Sequence, residues 1–172
     1  MFDPTIYENL KVVAEGAVYD LDLKGELLIL GRSDRVELAS MSRAFAIRFR
    51  LPDKPEASAE FRLEADTYDL SAEILEKREA VPGCRLELFF QLTVNEVESQ
   101  CLAIQSAMRE IWGTECRIRQ QVTFDFDHQD KGYRVEASVD FGRKFGEEVI
   151  GDLQSLLEHM AVTLRRLAEL TG

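Results

Sequence analysis

The stretch TFDFDHQDKGYRV, residues 123–135, places Asp125, Asp127, His128 and Asp130 within six positions. Carboxylates and an imidazole this close together could ligate a hard cation or zinc, and the same groups could move protons. Counted from Asp125, Glu136 stands twelfth, as in an EF-hand calcium loop. The sixth position of that loop needs glycine for its sharp turn, and Asp130 stands there. The flanks alternate as strands, so calcium binding of this kind is not expected. Strand pairing explains the letters more simply. A loop over residues 128–131 sets Asp127 opposite Gly132, so that Phe126 faces Tyr133 and Phe124 faces Val135 on one apolar side. On the other side Asp125 meets Arg134 and Arg119 meets Asp140, opposite charges across the pair. The expected object is a solvated hairpin with Asp127, His128 and Asp130 at or beside its tip. Enzymatic or metal use of this acidic hairpin is the third-ranked reading.

The other chemistry-bearing residues are dispersed. The two histidines, His128 and His159, have no second histidine or cysteine at ligand spacing. Cys84, Cys101 and Cys116 each fall on an apolar stripe, where a thiol acts as a small hydrophobe. Arg32, Arg35, Arg43, Arg48 and Arg50 form the one basic cluster in the sequence. Within it, Arg48 and Arg50 are the candidate ligand-binding residues for an anion. No phosphate loop, dinucleotide fingerprint, H-E-x-x-H or nucleophile elbow occurs. Neither a metal nor a cofactor is expected. The run YDLSAEILEKREAVPGCRLEL is similar to a fragment of PilZ-type nucleotide-binding domains, in which D-x-S-x-x-G lies between strands before a Pro-Gly turn. Asp69 and Ser71 match, Ile74 holds the glycine's place, and no R-x-x-x-R precedes the run. No binding residue is carried over.

The elements that must position these groups follow from periodicity. Asp3 and Pro4 can open a short helix over 4–10, with a possible extension to Gly16. AVYDLDL and ELLIL then read as strands around Lys24-Gly25, and RVELASM as a short helix. RAFAIRFRL alternates with Phe45, Ile47, Phe49 and Leu51 on one face. PDKPEASA, residues 52–59, reads as a loop and a possible subdomain boundary. Residues 66–81 fit either a helix capped by Asp66 or a strand, with strand slightly favoured. CRLELFFQLTV is a strand. Asn95 caps a helix ending at Trp112 and Gly113. Two strands surround the acidic hairpin. A helix from Arg143 to Leu170 ends the chain, with Leu157 and Leu164 on its apolar stripe.

These elements give an α+β fold: a mostly antiparallel sheet with the two C-terminal helices on one face. The order from residue 84 onward is that of a ferredoxin-like split βαβ unit lacking its last strand, a gap that an N-terminal or partner strand could fill. A length of 172 residues and 45% apolar composition suit a single domain. The net charge of −11 argues against nucleic-acid and anionic-membrane partners. No apolar run approaches a membrane span, the N-terminus lacks signal-peptide character, and three widely spaced cysteines suit a reducing cytoplasm. The expected function is a non-catalytic interaction or regulatory protein that self-associates as a homodimer through Leu157 and Leu164. A domain binding a small anionic ligand is the alternative.

Overall fold

The computed structural model describes residues 5–172, with the side chains of Gln129 and Asp130 outside that description. The Asp3-Pro4 helix opening also lies outside the described residues. Ten principal elements follow in order: α1 (Thr5–Leu23), β1 (Leu28–Glu37), β2 (Ser42–Leu51), β3 (Lys54–Ala65), α2 (Thr67–Ile74), β4 (Cys84–Val94), α3 (Val97–Trp112), β5 (Arg117–Thr123), β6 (Tyr133–Phe145) and α4 (Leu153–Thr171). The strands form one sheet in the order β1-β2-β3-β4-β6-β5, every neighbouring pair antiparallel.

Register places one apolar face in line across the sheet. Phe45 pairs with Leu63, Phe61 with Leu88, and Leu88 with Val139, all buried. α1, α3 and α4 pack on this face, with α4 between the other two. Leu157, Met160, Leu164 and Leu167 of α4 are all fully buried. The opposite face is polar, as an antiparallel sheet allows. There Arg48 pairs with Glu60 at 3.5 Å, and the Arg62 guanidinium lies 4.1 Å from the Phe89 ring centroid.

β4, α3 and β5 form the split unit, with β6 inserted between its two parallel strands. The missing fourth position is filled from within the chain, by β3 on the outer side of β4.

Several expected elements differ. α1 continues through AVYDLDL, because Tyr7, Leu10, Ala14, Ala17, Val18 and Leu21 recur at helical spacing and are buried. The residues expected to form a short helix, RVELASM, instead extend β1 and its turn, pairing Arg35 with Ala44 and Glu37 with Ser42. The expected 52–59 loop shrinks to a tight turn, since Lys54 already pairs with Leu51. Residues 67–74 are helical, with the Asp66 carboxylate accepting from the Asp69 N–H at 2.9 Å. α3 is capped by a different residue than expected. The Gln100 Oε1 accepts from the Asn95 and Glu96 N–H groups, each at 2.8 Å. Residues 143–145 belong to β6, and a 3-10 segment, Glu147–Asp152, precedes α4.

Candidate functional site

The most chemically distinctive cavity lies where β6 outruns β5. Arg117, at the start of β5, pairs with Asp140, so residues 141–145 extend past the end of that strand. They remain paired to β4 through an irregularity: Glu87 pairs with Asp140 and Arg85 with Lys144. Three β6 residues therefore oppose one β4 residue. Gly142 absorbs the distortion at φ +69°, its N–H donating to the Asp140 carboxylate at 2.8 Å. Bulges of this kind re-aim side chains. Here Phe141, Arg143 and Phe145 all come to line the space beside the strand.

The opposite walls come from helix ends. Gly113, at φ +78°, stops α3 just after Trp112. Asp152, Ser155, Leu156 and His159 descend from the start of α4. The resulting cleft measures about 660 Å3, within the range of small-molecule sites. Its aromatic groups interlock edge to face. Trp112 lies 6.2 Å from Phe141 and 4.7 Å from His159, and Phe141 lies 5.6 Å from Phe145. Such contacts fix ring orientation as well as adding area.

The polar groups are few and specific. His159 Nε2 sits 3.2 Å from the Ile111 carbonyl. A carbonyl can only accept, so Nε2 carries the proton and Nδ1 of the neutral ring is an acceptor. Cys116 Sγ donates toward the Trp112 carbonyl at 3.4 Å, which occupies that thiol at the end of α3. The Trp112 indole N–H is buried and, among the described residues, has no hydrogen-bond acceptor. An unpaired buried donor costs about 1–3 kcal/mol.

No family model, curated protein or solved structure matches the chain. The site must be read from its own chemistry.

The residues singled out in the sequence lie elsewhere. Arg48 is on the outer sheet face with Glu60, and Arg50 donates to the Leu51 and Pro52 carbonyls at 3.2 and 3.3 Å. Neither lines the cleft. Leu157 and Leu164 are enclosed by the chain's own core, so neither is presented to a second protomer. In the acidic hairpin, Thr123 pairs with Arg134, two residues from the expected register, which preserves the faces but ends β5 early. A 3-10 segment, Phe126–Lys131, follows. Phe126 is 82% exposed instead of facing the core, while Asp125 does meet Arg134, at 3.5 Å. Asp127 and His128 are exposed, and the Asp130 side chain lies outside the described residues. Among the described residues no three His, Cys, Asp or Glu side chains gather to hold a metal ion.

Two charged clusters have structural partners, although the Arg43 Nε–H is buried without one among the described residues. The Asp34 carboxylate receives Tyr7 Oη at 3.0 Å, Lys11 Nζ at 2.8 Å and Arg43 Nη2 at 3.1 Å, tying α1 to β1 and β2. Burial pushes the Asp34 carboxyl up, but hydrogen bonds from Lys11, Arg43 and Tyr7 outweigh it and hold it below the ordinary range. Asp69, matched to the PilZ-type fragment, lies on α2 rather than between strands. It is buried, accepts from the Gly83 N–H at 3.2 Å and is ion-paired with Lys144.

Proposed function

We propose that this chain is a small-molecule-binding domain whose ligand lies in the cleft between the tail of β6, the end of α3 and the start of α4. The observation that carries this reading is the cavity itself: Trp112, Phe141 and Phe145 wall a cleft of about 660 Å3, with Trp112 edge-to-face on Phe141 and Phe141 on Phe145. Clefts of this size, walled by aromatic groups and carrying a few polar ones, are the usual form of small-molecule sites. The ligand has a flat or branched apolar body resting on Trp112, Phe141 and Phe145.

Self-association loses the residues on which it rested, because Leu157 and Leu164 contribute to the core of the single chain. An anion held by Arg48 and Arg50 would have to displace the partners these residues already have, Glu60 for Arg48 and the Leu51 and Pro52 carbonyls for Arg50.

Trp112 is the only tryptophan, so its fluorescence reports on the cleft directly. A panel of small apolar ligands with polar ends is screened by Trp112 emission and by thermal shift. At least one ligand changes both, and Ser155→Phe, which fills the cleft from an exposed position on α4, abolishes the response. If no ligand changes either signal, or if Ser155→Phe leaves the response intact, the reading fails.

A further inference from the structure

The charges around the cleft narrow the ligand class. Glu115, Arg143 and Asp152 line it, and among the described residues none of the three takes part in an ion pair. Asp152 lies where the 3-10 segment runs into α4, with helical backbone at φ −97° and ψ −12°, and its carboxylate makes no capping bond. Arg143 lies near Glu148, but the Glu148 carboxylate is held by the Gly146 N–H at 3.0 Å. The Arg143 guanidinium instead stacks 4.1 Å over the Phe145 ring, which orients its donors without neutralising them.

Complementarity then separates the candidate ligands. A simple anion would answer Arg143 and face two carboxylates. A simple cation would answer Glu115 and Asp152 and face the guanidinium. Only a ligand carrying both signs gives every charged group on the wall an opposite. Resting on the small-molecule reading above, we infer that the cleft takes a zwitterion with an apolar side chain, an apolar α-amino acid being the simplest member of that class. Its carboxylate lies against Arg143, its ammonium against Asp152 and Glu115, and its side chain against Trp112 and Phe141.

The test uses the full chain with L-phenylalanine and L-leucine as probes, followed by Trp112 emission and thermal shift. Phenethylamine supplies the cation without the carboxylate, and 3-phenylpropanoate the anion without the ammonium. Both amino acids are expected to bind, L-phenylalanine about tenfold or more tightly than either analogue, as a second charge-assisted contact implies. Arg143→Met weakens L-phenylalanine about tenfold and leaves phenethylamine unchanged, while Asp152→Asn and Glu115→Gln weaken both amines. All three positions are exposed, so the variants keep the fold. If phenethylamine binds as tightly as L-phenylalanine, or Arg143→Met has no effect, the zwitterion assignment is overturned and the cleft reading stands. The same holds if the amino acids are silent while neutral apolar ligands shift Trp112. If every ligand tried is silent, both readings fall together.

Discussion

Leu157→Ala separates a core helix from an interface helix. Leu157 is 0% exposed and sits about one turn into α4, a helix that packs between α1 and α3 and over the sheet. Truncation removes buried methyl and methylene groups and leaves a void that rigid strand neighbours cannot collapse around, at a cost of about 3 kcal/mol. For a chain of this length, each kcal/mol lowers the melting temperature by about 2–4 °C, so a fall of about 6–12 °C is expected. Val162 on the same helix is 61% exposed, and Val162→Ala should stay within about 0.5 kcal/mol of the unmodified chain. Thermal unfolding by circular dichroism, repeated over a hundredfold range of protein concentration, checks both. The Leu157→Ala deficit should not vary with concentration, because a core contact is intramolecular. A deficit that vanishes at low concentration, or one no larger than that of Val162→Ala, would refute the placement of this helix face inside the core.

Four other outcomes are expected. Gly132→Ala should cost about 2 kcal/mol in denaturant titrations, since Gly132 has φ +81° and an added Cβ would sit 3.0 Å from the Val94 carbonyl oxygen. Asp69→Ala should cost about 2–3 kcal/mol by orphaning the Gly83 N–H and Lys144, with Asp69→Asn milder because it keeps an acceptor; equal losses would mean that hydrogen bonding at this site is unimportant. Because Asp34 is held below its ordinary value in the folded chain, its contribution is present above about pH 4 and is lost as pH falls through the lower folded value; acid titrations of Asp34→Asn should show a shallower acid limb. Burial first, then the Asp69 and Glu73 charges, push the Cys84 thiol up to about 12, so mass spectrometry should find Cys84 unalkylated at neutral pH until the chain unfolds.

The parts of the fold legible in the sequence were those where one face is buried and the other is not. β2 and β4 alternate because their odd and even residues meet different environments, and the alternation gives both the strand and its inward face. α1 was obscured because AVYDLDL satisfies a period of two while its buried residues follow the helical period, and over seven residues the two patterns overlap. β1 left almost no trace because an edge strand with mostly exposed residues has no inner face to encode. The cleft was invisible for a different reason. Trp112, Phe141, Asp152 and His159 belong to four elements, and their convergence depends on how far β6 outruns β5, a register that a single sequence does not state. The nearest local sign was DFGRKF, a glycine between aromatic and basic residues, which the helical stripe that follows it masked.

The order of the strands also bears on how the protein behaves when crowded. The four strands richest in apolar residues lie inside the sheet, and its two edges are β1 and β5. β1 carries a bulge between Ile29 and Gly31 and the charged series Arg32, Asp34, Arg35 and Glu37, while β5 is seven residues long and bears Arg117 and Arg119. An approaching strand would have to match an interrupted ladder on one side and a short, doubly basic one on the other. The backbone rows left open are thus poor templates for another chain, and the stickiest strands reach solvent only after their neighbours have been peeled away.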